Sequence, residues 1–266
     1  MKWTRIIKSL YDRPIKKGVL LGDSYIIEKC LGMGGYGITY QCVLKDTQDR
    51  YVLKQLRPSK SKRTYERERF KQEVELLRKI NHKRIPNLVD YFMIDGQSYY
   101  VMNKIDAPNL EDLLFLQKSE FTELESLILA NKLLSILDYL HENLIFHSDI
   151  RPPNVLVKDG EVFLIDFGLA KKISPKDIDI ESRRQDDFFD LGECLLFLLY
   201  SQFKGKPSKK RSWLEELSIG KETENIIKRL LGINEVYSTT DHIREDLVKA
   251  IDCQGGLCKR LMVTEK

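Results

Sequence analysis

The spacing of apolar residues changes character once along this 266-residue chain, and that change bounds what it can fold into. Up to about residue 103, apolar residues come mostly in short runs rich in β-branched and aromatic side chains. These runs are Tyr25–Leu31, Ile38–Leu44, Tyr51–Leu56, Leu88–Ile94 and Tyr99–Asn103. Glycines or polar turns separate them, such as Lys45-Asp46-Thr47 and the hairpin signal Asp95-Gly96, so the region reads as an antiparallel meander. One segment within it, Lys62–Ile80, follows helical period, with Phe70, Val74, Leu77 and Ile80 on one face. After Pro108 helical period takes over in Leu110–Leu116, Glu123–Glu142, Phe188–Tyr200, Glu222–Leu231 and Thr240–Ile251. Strands followed by helices predict an α+β chain of two lobes, with the boundary near Asn103–Pro108.

Composition narrows the function classes. Apolar residues make up 42% and charged residues 32%, enough for a substantial core and too apolar for global disorder. The net charge of +4 balances 44 basic against 40 acidic residues, which gives no reason to expect nucleic acid as the primary ligand. Cys30, Cys42, Cys194, Cys253 and Cys258 are odd in number and lack metal-ligand spacing, which points to a reducing, cytoplasmic setting. The longest apolar run, Cys194–Tyr200, is far short of the ~20 residues a spanning helix needs. No signal-peptide core is visible at the N-terminus. Residues 1–18 carry Lys2, Arg5, Lys8, Arg13, Lys16 and Lys17. Trp3, Ile6, Ile7, Leu10 and Tyr11 recur there at helical spacing, and Pro14 ends the pattern. That stretch reads as a helix whose apolar stripe packs on the main body. Lys204–Arg211 reads as a solvated basic loop.

The polar residues that carry chemistry cluster in His147-Ser148-Asp149-Ile150-Arg151-Pro152-Pro153-Asn154 and Leu164-Ile165-Asp166-Phe167-Gly168. Asp149 can accept a hydroxyl proton, and Asn154 and Asp166 offer hard oxygen ligands to Mg²⁺ (or Mn²⁺) beside a nucleoside triphosphate. Upstream, Gly32-Met33-Gly34-Gly35-Tyr36-Gly37-Ile38-Thr39 lies between two predicted strands. Glycine lets backbone approach phosphate oxygens closely. Dinucleotide folds place such a loop between a strand and a helix, so strands on both flanks favour a lid over nucleotide phosphates. Lys54, in the third strand, can grip phosphates if a carboxylate holds it. Glu73, beside the apolar face of the Lys62–Ile80 helix, is its natural partner, and Glu75 is the rival.

Taken in order, LGMGGYGITY, YVLK, FKQEVELL, NHKRIPNLVDYF, YYVM, HSDIRPPNVLV, LIDFGLA and DDFFDLGE resemble the protein kinase family over residues from about 25 to 195. The chain looks most like the small, soluble, eukaryotic-like Ser/Thr kinases of bacteria. The resemblance implies a bilobal fold, with a β-rich N-lobe containing one regulatory helix and a mainly helical C-lobe. It frames a basic extension over 1–24, an N-lobe over 25–103, a C-lobe over 104–252 and a flexible tail over 253–266. It implies ATP and Mg²⁺ (or Mn²⁺) as cofactors and a protein Ser/Thr hydroxyl as acceptor, with autophosphorylation. Asp149 would orient and deprotonate that hydroxyl, Asn154 and Asp166 would hold metal, and Lys54 fixed by Glu73 would hold ATP phosphates. Arg151 would neutralise the γ-phosphate. Leu31, Gly32, Met33, Gly34, Gly35, Tyr36, Gly37, Ile38 and Thr39 would cover the nucleotide, Met102 would gate the adenine pocket and Asn103–Ile105 would form the hinge. Asp187 would anchor the catalytic loop from below.

The chain also departs from the family. Ser148 stands where Arg is usual, so the cationic socket for a phosphorylated activation loop is gone. Activity independent of activation-loop phosphorylation is expected. Arg151 stands where Lys is usual, keeping charge but not shape. The Ala-Pro-Glu segment is missing, and the late position where its Arg partner would fall holds Val236-Tyr237, so both halves of that ion pair are absent together. A small-molecule kinase of the aminoglycoside or choline type, and a non-catalytic scaffold, are the competing classes.

Overall fold

The structure is a computed structural model describing residues 12–206 and 210–264, with only the backbone of 256–264 described. Two compact units divide the chain, one ending at Asp106 and the other starting at Ala107. Of the helix expected in the basic stretch 1–18, residues 1–11 lie outside the described residues, and residues 12–18 are not helical.

In the first unit, six strands form one antiparallel sheet: β1 (Leu20–Leu21), β2 (Tyr25–Met33), β3 (Gly37–Leu44), β4 (Arg50–Leu56), β5 (Leu88–Ile94) and β6 (Gln97–Asn103). Their order is β1-β2-β3-β4-β6-β5, so the crossover from β4 to β5 passes through a helix, α1 (Thr64–Lys79). Asp95 and Gly96 both take positive φ, 50° and 76°, the conformation a tight two-residue hairpin turn needs. One sheet face is core: Ile27, Ile38, Tyr40, Leu53 and Val101 are all at most 1% exposed. The Tyr40 hydroxyl satisfies itself there by accepting from the Ile15 amide and donating to Gln55 Oε1. α1 buries Phe70, Val74 and Leu77, as its helical period predicts, and Glu73 with them.

The second unit is mainly helical. It contains α2 (Leu110–Phe115), α3 (Glu123–Glu142), α4 (Ile180–Leu199), α5 (Trp213–Glu216), α6 (Lys221–Leu230) and α7 (Thr240–Thr264). A capping box starts α3: Thr122 Oγ1 accepts from the Glu125 amide, and Glu125 accepts from the Thr122 amide. α3 packs against α4 and α7, and α6 packs against α4 and α7. Between α3 and α4 run four short strands: β7 (Ile145–Phe146), β8 (Val155–Lys158), β9 (Glu161–Leu164) and β10 (Lys171–Lys172). β8 and β9 form a hairpin turned at Asp159-Gly160, and β10 pairs antiparallel with β7.

Two helix boundaries differ from the sequence expectation by more than two residues. α4 begins at Ile180 rather than Phe188, because the polar stretch Glu181–Asp187 carries no apolar period. α7 runs to Thr264, where a helix ending at Ile251 and a flexible tail from Cys253 were expected. Gly255 and Gly256 each forgo about 1 kcal/mol of helix propensity, and the backbone remains helical through them.

The α4–α6 crossing is tight. A Cβ added at Gly192 would sit 2.9 Å from Leu230 Cβ and 3.1 Å from Leu231 Cδ2. Gly192→Ala gains about 1 kcal/mol of helix propensity but overpacks a contact at a cost of about 1–3 kcal/mol. The urea midpoint is therefore expected to fall, and an unchanged or raised midpoint would contradict this packing.

Candidate active site

The site residues of the first unit lie on the sheet face opposite the core cluster. In register across the sheet, Thr39 faces Lys54 and Lys54 faces Tyr100. Lys54 Nζ lies 2.7 Å from Glu73 Oε1, with side-chain exposures of 8% and 5%. The Tyr100 hydroxyl donates to the same Glu73 oxygen at 2.8 Å. A buried ion pair is secure only when its remaining bonding capacity is met, and Tyr100 helps meet it. Glu75 is paired instead with Arg78 on the exposed side of α1, which settles the choice between the two carboxylates geometrically. Met102 is buried two residues along β6, on the Lys54 face.

The glycine-rich turn joins two strands, as expected. A Cβ at Gly32 or Gly35 would meet nothing within 4 Å, and one at Gly34 only Gly37 O at 3.9 Å. Packing therefore does not require glycine at these positions, and the space beside them suits phosphate oxygens. Gly37 is different: a Cβ there would meet Gln55 O at 3.0 Å and Lys54 Cε and Cγ at 3.1 Å. Glycine at 37 leaves room for the Lys54 side chain. Leu31 and Met33, beside the turn, are 46% and 44% exposed. Ile38 is fully buried on the other face, so its side chain belongs to the sheet core rather than to a nucleotide-covering set. Tyr36 at the turn is held by two cations: the Arg69 guanidinium lies 3.6 Å and Lys60 Nζ 4.3 Å from its ring centroid.

In the second unit, the β8–β9 hairpin places Asn154 and Asp166 at its two open ends. Val155 faces Leu164, and the Ile165 amide donates to Asn154 O at 3.0 Å. Asn154 Nδ2 donates to both Asp149 O and Asp149 Oδ2, each at 2.9 Å. Those bonds orient the amide and leave Oδ1 as its metal-competent oxygen. Asp166 is exposed and holds φ of 63°, with its carboxylate accepting from the Gly168 amide. Carboxylate and amide oxygens on adjoining backbone suit a divalent cation. Arg151 is exposed and extended and forms no ion pair among the described residues.

Beneath this loop lies Asp187, fully buried. It accepts from the His147 amide at 3.1 Å, the Ser148 amide at 2.7 Å and His141 Nε2 at 2.9 Å. Burial pushes the His147 imidazole pKa down, so the ring is neutral, and Nε2–H donates to Ile165 O at 3.2 Å. That bond ties the Asp149 loop to the Asp166 segment. Ser148 takes φ of 59°, and its hydroxyl is buried without a partner among the described residues. Where the family's late Arg would fall, Tyr237 is fully buried. Its hydroxyl donates to Asp246, its ring lies under Arg229, and its carbonyl accepts from Gln185 of α4.

Tyr100, Asp190 and the Tyr237 cluster were not singled out from sequence. Asp190 had a signal, since it lies three residues beyond Asp187 on one helix. Tyr100 had none beyond strand alternation.

Tyr100→Phe removes a charge-assisted bond to buried Glu73 worth about 1.5–3 kcal/mol. A loss of that size in chemical denaturation is expected, and a wild-type midpoint would show that the hydroxyl contributes nothing.

The sequence profile of the protein kinase domain matches residues 25–187, more than half of the chain. The probable serine/threonine-protein kinase YbdM of Bacillus subtilis (strain 168) is 57% identical over 245 residues, covering 92% of this chain and 96% of the relative. Myosin light chain kinase A of Dictyostelium discoideum is 34% identical over 153 residues, 56% of this chain and 51% of that protein. Serine/threonine-protein kinase AtPK2/AtPK19 of Arabidopsis thaliana is 34% identical over 156 residues, 58% of this chain and 33% of that protein. With the glycine-rich turn, the Lys54–Glu73 pair and the Asp149, Asn154 and Asp166 loop all in place, the chain belongs to the protein kinase family.

Proposed function

We propose that this protein kinase transfers the γ-phosphoryl group of ATP to a serine or threonine hydroxyl of a protein, itself included. The observation that carries this reading is the Asp149–Asn154 hydrogen bond at the mouth of the β8–β9 hairpin. It joins the base to one metal-competent residue, and the bond from the Ile165 amide to Asn154 O brings the backbone next to Asp166 alongside. The hydroxyl preference rests on Arg151-Pro152 after the base, which resembles the Lys-Pro form of Ser/Thr kinases, and on the name of the 57%-identical relative.

Asp149 accepts the acceptor's proton as its oxygen bonds to the γ-phosphorus and the bond to the bridging oxygen of ADP breaks. Lys54, fixed by Glu73 and Tyr100, carries the charge for the α- and β-phosphates. Arg151, exposed after Asp149, meets the γ-phosphate charge with its planar fork. Asn154 Oδ1 and the Asp166 carboxylate would hold magnesium, with manganese as the substitute. Such an ion neutralises charge on the phosphate oxygens. The half-exposed Leu31 and Met33 give an adenine ring apolar surface to lie against. Cys30, Cys42, Cys194 and Cys253 are unpaired thiols, which supports a reducing, cytoplasmic setting. Among the described residues, no helix is long and apolar enough to cross a membrane.

Purified protein given radiolabelled ATP and Mg²⁺ should label itself or a generic basic acceptor such as myelin basic protein. Asp149→Ala should lower labelling by a factor on the order of 10²–10⁴ while the protein stays folded. Labelling of neither protein, with ATP consumed only when small alcohols or sugars are added, would support a small-molecule kinase instead. Failure to bind nucleotide would support a scaffold.

A further inference from the structure

α4 reads the backbone of the catalytic loop with one stripe of side chains. Asp187, Asp190 and Cys194 are spaced at i, i+3 and i+7, so they share a helix face. Asp187 accepts the amides of His147 and Ser148. Asp190 Oδ2 accepts the Ile150 amide at 2.9 Å, and the Cys194 thiol donates to Ile150 O at 3.8 Å. Asp149 therefore sits between peptide groups held by two different carboxylates. Asp187 alone would leave the peptide after Asp149 free to turn.

We infer that Asp190 is a positioning residue for phosphoryl transfer, aiming the Asp149 carboxylate by holding the Ile150 amide. The inference rests on the kinase reading above.

The energetics support a functional role. Asp190 is half-buried, and burial raises its pKa from 3.8 to about 6. The bond from Ile150 works the other way, whereas the neighbouring charges of Asp187, Asp149 and Asp186 add to the rise. The folded-state value lies above the unfolded one. The group's contribution to stability is therefore full below about 3.8 and is lost as pH rises through about 6. At neutral pH its ionised form is a liability to the fold. The ionised form also makes the stronger, charge-assisted bond to Ile150. Asparagine at this place would keep an acceptor oxygen without the charge.

The test compares wild type, Asp190→Ala and Asp190→Asn. Transfer from radiolabelled ATP to myelin basic protein is followed from pH 5.5 to 8, with hydrogen exchange measured over His147–Arg151. Asp190→Ala should lower kcat on the order of tenfold, with KM for ATP changed less than about twofold. Asp190→Asn, neutral at every pH, should recover only part of that loss, holding the lower kcat expected of wild type below about pH 6 and lacking the rise expected of wild type above it. Its melting temperature should exceed the wild-type value increasingly as pH rises through about 6. The Ile150 amide should exchange faster in Asp190→Ala only. Wild-type kcat and exchange in Asp190→Ala would overturn the inference, and so would a wild-type acid limb in Asp190→Asn. If Asp190→Ala does not fold, the Asn pH profile decides. If wild type transfers no phosphoryl group, the kinase reading fails on its own, and Ile150 exchange in the variants still judges the anchor.

Discussion

The second unit is organised around the buried carboxylate of Asp187. It takes hydrogen bonds from the His147 and Ser148 amides and from the His141 ring. Each bond to a charged acceptor contributes about 1.5–3 kcal/mol. Holding Ser148 in the left-handed region costs about 1–2 kcal/mol. The two amide bonds outweigh that strain, and the loop keeps a conformation it would not choose alone. Asp187 can act this way only because α4 is itself buried, with Leu191, Leu195 and Leu198 at most 2% exposed. From this anchor the order spreads outward. His147 reaches Ile165, Ile165 is tied to Asn154, and Asn154 is tied to Asp149.

The first unit has a smaller counterpart. Lys54, Glu73 and Tyr100 come from β4, α1 and β6, and each supplies what the others lack. The ammonium meets a carboxylate, and the carboxylate meets a hydroxyl as well. Gly37 leaves the space through which the Lys54 side chain passes.

What could be read from the sequence was whatever had a local physical signature. Strands β2 to β6 announced themselves by β-branched runs between turns, and α3 by its period from Glu123 to Glu142. The ordered motifs marked the family, and Lys54, Glu73, Asp149, Asn154 and Asp166 all lie in those motifs. What was missed depends on long-range partners. The first two turns of α4 are too polar to show a period, and they are held by Gln185 and Arg184 reaching the carbonyls of Tyr237 and Ser238. The β8–β9 hairpin had a usable Asp159-Gly160 signal between apolar runs, but its strands are only four residues each. Tyr100 and Asp190 matter through partners 27 and 40 positions away, which no window on the sequence displays.

Buried hydrogen bonds set the catalytic loop from within the fold, and we propose that phosphate on the activation segment is not needed. Ser148 offers a buried hydroxyl and no cation, and the segment after Gly168 is short, with β10 paired to β7 and α4 starting at Ile180. Tyr237, at the sequence position where the family's late Arg would fall, is held by Asp246 and Arg229. Ser174 and Ser182 are the only hydroxyl side chains between Asp166 and Asp187. The direct measurement is the initial rate of phosphoryl transfer by phosphatase-treated protein carrying Ser174→Ala and Ser182→Ala. The wild-type rate without a lag is expected. A lag in treated wild type that preincubation with ATP removes, together with loss of activity in the double variant, would contradict it.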